Sequence, residues 1–336
     1  MSIVVGFAIT SDVGCVAGRV TFDMLPNNVL FEIFDLYGID CESSCYPWMW
    51  HTLVHVCRRW RQIIFASPIR LELRIVCTPR TRVKELLEFL PPLPIMIRSD
   101  FGFPLPFSTP SFGDGSQVIA ALEQRDNVYS IELQVLPSSL LEKMATTMQE
   151  TYPALEYVTL WAGDDTAPVL CKEFLGGSAP CLERIWLKGI PFPDAPLLLM
   201  STTNLVYLRL EMIPDSGYIS PEAMVAALST CTKLETLSMW FKPGDPHPDL
   251  TSQEITSNAR VFLPALDYFS FSGNGRYFNN FVTRIESPSL GGSNDYIRHD
   301  TNITVNTDVV YEAFFTSSGI SFHYHSEPRN PVQVED

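Results

Sequence analysis

Apolar positions recur along this chain with two periods, and the helical one comes first. Between Leu25 and Ser67 two stripes repeat at helical spacing. In the first, Val29, Leu30, Ile33 and Phe34 share a face that Tyr37 extends. Pro26 stands at the first turn, where its missing N–H leaves no intrahelical bond unmade. In the second, Leu53, Val56, Cys57, Trp60 and Ile64 fall at i, i+3, i+4, i+7 and i+11, which predicts one continuous helix. Arg58, Arg59 and Arg61 lie off that stripe, near the end where the helix dipole favours cations, and Pro68 stops the helix. By periodicity alone this is a helical hairpin with a buried seam. Alternation over Ile69–Ile75 then predicts a strand, Val83 to Leu90 a short helix ended by Pro91-Pro92, and Ile95–Ile97 another strand. Phe101–Gly115 is a loop rich in Phe, Pro, Gly and Ser.

A longer period follows. Val128-x-x-Ile131-x-Leu133 returns as Leu155-x-x-Val158-x-Leu160 and Leu182-x-x-Ile185-x-Leu187. It continues as Leu205-x-x-Leu208-x-Leu210, Leu234-x-x-Leu237-x-Met239 and Leu266-x-x-Phe269-x-Phe271, at intervals of 27, 27, 23, 29 and 32 residues. Helical stripes lie between them, one at Leu140, Leu141, Met144 and Met148, another at Ala223, Met224, Ala227 and Leu228. One strand and one helix per period is what a solenoid needs, because a single repeat cannot cover its own apolar face. The alternative is an irregular α/β domain with several Leu-rich strands. Beyond Leu290 the pattern fades through a Gly291–Asp295 loop, and Thr301–Val305 and Ile320–His325 read as edge strands or a cap. The residues from Ser326 onward read as a frayed tail.

The first stripes carry more than periodicity. Leu25-Pro26, Val29-Leu30-x-x-Ile33-Phe34 and Val56-Cys57-Arg58-x-Trp60-Arg61 together resemble the F-box, the helical module that docks onto the Skp adaptor of cullin-based ubiquitin ligases. The joining segment, 38–51, is longer than the usual linker and looks like an insertion variant of mushroom-type fungal members. The repeats resemble the divergent leucine-rich repeats that commonly follow an F-box. Asn at the motif's closing position occurs only at Asn274. The implied architecture is α/β: a tail over 1–20, an F-box over 21–68, an irregular leucine-rich-repeat solenoid with a parallel sheet over 69–290, and a cap and tail over 291–336. The resemblance implies adaptor contacts from Leu25, Pro26, Val29, Leu30, Ile33, Phe34, Leu53, Val56, Cys57 and Trp60, some of which must also pack the module's own core.

Strand alternation would place Tyr157, Thr159, Trp161, Arg184, Trp186, Lys188, Tyr207, Arg209, Glu211, Ser238, Trp240, Tyr268 and Ser270 on one surface. Trp, Tyr and Arg are the types enriched in binding hot spots, so Tyr157, Trp161, Arg184, Trp186, Tyr207, Arg209, Trp240 and Tyr268 are the candidate target contacts. A loop or the tail folding over them is the plainer alternative. Composition narrows the function further. The net charge of −15 disfavours nucleic acid as a partner. Eight cysteines in a long chain do not form a secreted disulfide framework, and Cys41-x-x-x-Cys45 lacks a second pair to complete a zinc site. No apolar run is long enough to span a membrane, and the cytoplasm or nucleus is expected.

No nucleophile elbow, phosphate-cradling Gly loop or zinc-protease motif occurs, so no enzyme activity and no cofactor or metal are expected. His323 and His325 lack a third ligand nearby, and Asp164-Asp165 reads as a solvated loop. The expected function is substrate recognition within an SCF-type ligase, with the Skp adaptor, the cullin complex and a target protein as partners. A non-degradative F-box scaffold or a protein-interaction repeat protein is the alternative.

Overall fold

The structure is a computed structural model describing residues 24–39, 50–68, 70–99, 112–242, 259–288, 310–316 and 319–325. The expected tail over 1–20, most of the 38–51 insertion with Cys41 and Cys45, the loop over 101–111, the Gly291–Asp295 loop, the Thr301–Val305 strand and the tail from Ser326 lie outside these residues. The chain divides into two compact units, Met1–Leu73 and Arg74–Asp336.

The first unit is helical, with α1 (Asn27–Ile39), α2 (Trp50–Val54) and α3 (Arg58–Ala66). The long second helix expected from the sequence is two helices. Cys57 is extended (φ −157°, ψ 169°), and its sulfur accepts the Trp60 N–H at 3.4 Å, capping α3. Its capping role interrupts the intrahelical ladder, although the apolar spacing fits an unbroken helix. The arginines consequently begin α3 rather than end a helix. Arg61 donates through Nε to the Val54 carbonyl at the end of α2, 3.0 Å away. Arg59 reaches the Leu25 carbonyl at 2.5 Å and the Asn27 amide oxygen at 2.9 Å. Arg61 thereby gives a donor to a carbonyl that the break leaves without an intrahelical partner, while Arg59 ties the start of α3 to the start of α1. Leu30, Phe34, Leu53, Trp60 and Ile64 are buried, and the Phe34 and Trp60 rings meet edge-on at 5.0 Å. The strand expected over Ile69–Ile75 is also corrected. Leu71 and Leu73 donate back to the carbonyls of Ser67 and Pro68, and Glu72 takes φ +47°, so the chain turns there.

The second unit is α/β and built on one sheet. Its strands are β1 (Ile75–Cys77), β2 (Ile95–Arg98), β3 (Val128–Leu136), β4 (Tyr157–Ala162), β5 (Arg184–Lys188), β6 (Tyr207–Ile213) and β7 (Thr236–Phe241). A short β8 (Val261–Phe262) precedes β9 (Tyr268–Asn274), and β10 (Ile285–Glu286) precedes β11 (Val310–Thr316) and β12 (Gly319–His325). In the large sheet the order is β1-β2-β3-β4-β5-β6-β7-β9-β11-β12, with the first eight parallel and the last two antiparallel. β8 and β10 pair separately. Each parallel strand therefore lies beside its predecessor in the sheet.

All six sequence motifs fall on or just before adjacent strands, and in register. Ile131, Val158, Ile185, Leu208, Leu237 and Phe269 are lateral neighbours in one row, and Leu133, Leu160, Leu187, Leu210, Met239 and Phe271 form the next. Both rows are buried. Between strands run α4 (Val83–Phe89), α5 (Ser116–Leu122), α6 (Ser138–Thr147), α7 (Ala195–Leu199) and α8 (Pro221–Leu228), with α9 (Gly275–Val282) following β9. Consecutive helices touch (α4 with α5, α5 with α6, α7 with α8, α8 with α9), and Val83, Leu122, Leu140, Leu198 and Met224 on them are buried along with the strands' inward rows. Ser220 caps α8 with Pro221 at its first position, and Asn274 caps α9, accepting from Arg276 and Tyr277.

Candidate functional site

Two surfaces merit attention, one on each unit. In the first unit, α1 carries two apolar stripes. Leu30 and Phe34 are buried, whereas Val29, Ile33 and Leu36, spaced i, i+4, i+7, turn another way. Val29 is 36% and Leu36 65% exposed, and Met24 and Val56 are 69% and 55% exposed. Of the expected adaptor contacts, Leu30, Phe34, Leu53 and Trp60 are buried. Leu25, Pro26, Val29, Ile33, Val56 and Cys57 keep accessible surface. Met24 and Leu36 were not anticipated. Leu36 was legible as the i+7 partner of Val29, but the stronger Leu30–Phe34 stripe masked it.

In the second unit the sheet has one buried face and one partly open face, on which the large side chains keep accessible surface while Ser130, Glu211, Ser238 and Ser270 are buried. β4 shows the rule: Val158 and Leu160 are buried, while Tyr157, Thr159 and Trp161 alternate with them and stay partly accessible. β5 repeats it, with Arg184, Trp186 and Lys188 opposite Ile185 and Leu187. Lateral pairing then aligns Thr159, Trp186, Arg209, Ser238 and Ser270 in one row, and Tyr157, Arg184, Tyr207, Thr236 and Tyr268 in another. The same pairing adds Arg98 of β2 and Glu132 of β3, which the sequence reading did not include. Their side chains are 3.7 Å apart.

These side chains stack on one another. The Trp161 and Trp186 rings approach edge-on at 4.8 Å. The Arg209 guanidinium lies 4.6 Å from the Trp186 ring and 5.3 Å from that of Trp240, between two indoles. Such cation–π contacts contribute roughly 0.5–2 kcal/mol each, depending on desolvation. Arg209 also pairs with buried Glu211 and donates to the Tyr207 hydroxyl at 3.3 Å, while Trp186 Nε1 donates to Glu211 at 3.3 Å. Burial works against the Arg209 charge, but the Tyr207 hydroxyl and the Glu211 carboxylate outweigh it and raise its pKa. Trp240 Nε1 donates to Ser270 Oγ at 2.9 Å. Lys188 lies 5.2 Å from the Trp161 ring, and Arg184 lies 5.8 Å from the Tyr157 ring.

The arrangement is suited to recognition. All eight candidate target residues lie on this open face, although Arg209 and Trp186 are largely engaged with their own neighbours. Compared with protein-family models, curated proteins and solved structures, the chain matches none.

The acidic pair Asp164-Asp165 has structural partners; the side chains of His323 and His325 lie outside the described residues. Asp164 accepts from Ser138 and Thr166, and Asp165 pairs with Lys242 at 3.0 Å. Gly113 and Gly115 have positive φ in the turn before α5. A cleft of about 670 Å³ beside α4, α5 and α6 is lined by cations and acids alike, including Arg82, Glu85, Asp114 and Lys143. Arg82 lies 3.4 Å from Glu85, and Lys143 donates to the Asp114 carbonyl. Among the described residues no helix is long and apolar enough to cross a membrane.

Proposed function

We propose that this chain is a non-catalytic substrate receptor of an SCF-type ubiquitin ligase. The first unit acts as an F-box that docks on the Skp adaptor. The second acts as a divergent leucine-rich-repeat solenoid that holds a target protein on its open face. The receptor works by proximity, raising the local concentration of target lysines near the ubiquitin thioester carried elsewhere in the complex.

The observation that carries the proposal is that Met24, Val29, Leu36 and Val56 of the helical unit remain exposed although the unit has a buried core of its own. A small helical unit with its own buried core has no internal use for a second apolar stripe, and exposed apolar clusters mark interaction surfaces. The solenoid reading rests on eight parallel strands in chain order and on motif rows in lateral register.

The experiment is a pull-down of the purified chain with the Skp adaptor, beside a Leu25→Ser, Val29→Ser, Val56→Ser variant. These side chains are accessible, so the variant should keep its circular dichroism spectrum, unlike one lacking the buried Trp60. Anchor residues of an interface typically contribute about 2 kcal/mol or more. Adaptor binding by the wild type, lost in the folded variant, is the expected result. A folded wild type that ignores the adaptor would overturn the proposal.

A further inference from the structure

Charge on the open face runs against charge on the chain. Across β2 to β9, the cations Arg98, Arg184, Lys188 and Arg209 stand against Glu132, Glu211 (the lateral neighbour of Lys188) and, at the edge, Glu183, which accepts from the Tyr157 hydroxyl at 3.2 Å. Cations still outnumber acids there, whereas the whole chain carries −15. Arg98 has Glu132 beside it, and Arg209 has Glu211. Arg184 and Lys188 have no ion-pair partner among the described residues, and both rest on aromatic rings. They stand four residues apart on β5 with Trp186 midway, a span of about 13 Å at strand rise.

We propose that this face receives an extended acidic segment of a partner protein, with two carboxylates seated on Arg184 and Lys188 and a small apolar side chain between them against the part of Trp186 that stays accessible. An extended chain points every second residue the same way, so an acid-x-apolar-x-acid segment presents all three groups to one strand of the sheet. Charge complementarity of this kind sets specificity and association rate. A single-stranded nucleic acid would also bring negative charge and stacking. It needs free ring faces, however, and here Trp186 is packed against Trp161 and Arg209, and Trp240 against Arg209. The overall negative charge further opposes a polyanion.

This inference deepens the receptor reading and rests on it. The test titrates the full chain, by tryptophan fluorescence and calorimetry, with three probes: a Glu-x-Val-x-Glu peptide, its Lys-x-Val-x-Lys counterpart, and an oligouridine. The acidic peptide should bind, with affinity that falls as salt is raised, and the basic peptide should not. Arg184→Glu with Lys188→Glu, confirmed to unfold at the wild-type temperature, should weaken the acidic peptide by about tenfold or more and admit the basic one. Equal binding of both peptides, failure of the acidic one, or tighter binding of oligouridine would each overturn the inference. Adaptor binding is read on the other unit. A chain that binds the adaptor but not the acidic peptide loses this inference and keeps the receptor reading, and the converse result separates them equally.

Discussion

Arg209 and Glu211 illustrate how single side chains hold the open face in shape. Glu211 is buried on the sheet's polar side, and it is tolerable there because Arg209 and the Trp186 N–H both reach it. Removing only the cation leaves a buried carboxylate without its charge partner, which typically costs about 3–5 kcal/mol. Arg209→Ala should therefore lower stability by about 3 kcal/mol in chemical denaturation. Arg209→Ala combined with Glu211→Gln should recover part of that loss, and a double mutant no better than the single would show that the two do not act as a pair. Asp164 gives a pH-dependent counterpart. The Ser138 hydroxyl first, then the Thr166 hydroxyl and the Ser138 N–H, hold its carboxyl down to about 2 from an ordinary 3.8. A lowered folded-state value means that the tie to the start of α6 is fully present above pH 3.8 and is lost as pH falls through 2. Carbon NMR of the Asp164 carboxyl should show that low midpoint, and Ser138→Ala should move it upward.

At the scale of elements, two strands end in the same irregularity. The pairing slips between Leu133 and Leu136 in β3 and between Leu210 and Ile213 in β6, and Val135 and Met212 take φ of +56° and +51°. The extra residue returns Leu136 and Ile213 to the buried side, three positions after a buried leucine where strict alternation would expose them. A left-handed conformation is costly for a β-branched residue. Val135→Asn, at a half-exposed site, should therefore raise stability by up to about 1 kcal/mol in thermal unfolding, and a loss would mean that the valine's packing outweighs its backbone strain. The opposite holds at Gly163, where an added Cβ would come within 3.0 Å of the Val135 and Leu136 backbone. Gly163→Ala should be destabilising. None of these features is legible in hydrophobic spacing, since a bulge or a cap changes hydrogen bonding without changing composition. The α2–α3 break is illegible for the same reason, because Leu53, Val56, Cys57, Trp60 and Ile64 satisfy helical periodicity across a residue that is extended. By contrast, the six strands from β3 to β9 that carry the motifs and the stripes of α6 and α8 were legible, because each buries a regular apolar row that composition does record.

Over the second unit as a whole, what matters is that the strands of the large sheet lie side by side in chain order, with β8 and β10 set apart as a pair. That order was legible because the motif repeats in phase. The strand β11 was not, because it lacks the Leu-x-x-Leu-x-Leu spacing and joins the sheet antiparallel to β9. The open face was legible for the same reason as the core, since alternation places the two sets together. How far its aromatics and cations would satisfy one another was not, because stacking depends on register across strands rather than spacing along one. On the proposed solenoid reading such a sheet is quasi-one-dimensional, and its stability is close to a sum of neighbour terms. In the large sheet only β1 and β12 have a single partner, and β5 and β6 lie farthest from both edges. Native-state hydrogen exchange should therefore show a gradient, with the strongest amide protection in β5 and progressively weaker protection toward β1 and β12. Leu208→Ala in β6 should cost about 2–5 kcal/mol and accelerate exchange in β5 and β7 more than in β1. Uniform acceleration across all the strands would instead show that the sheet opens as one cooperative block. In that case a partner bound at β5 would stabilise the distant edges as much as the strand it touches.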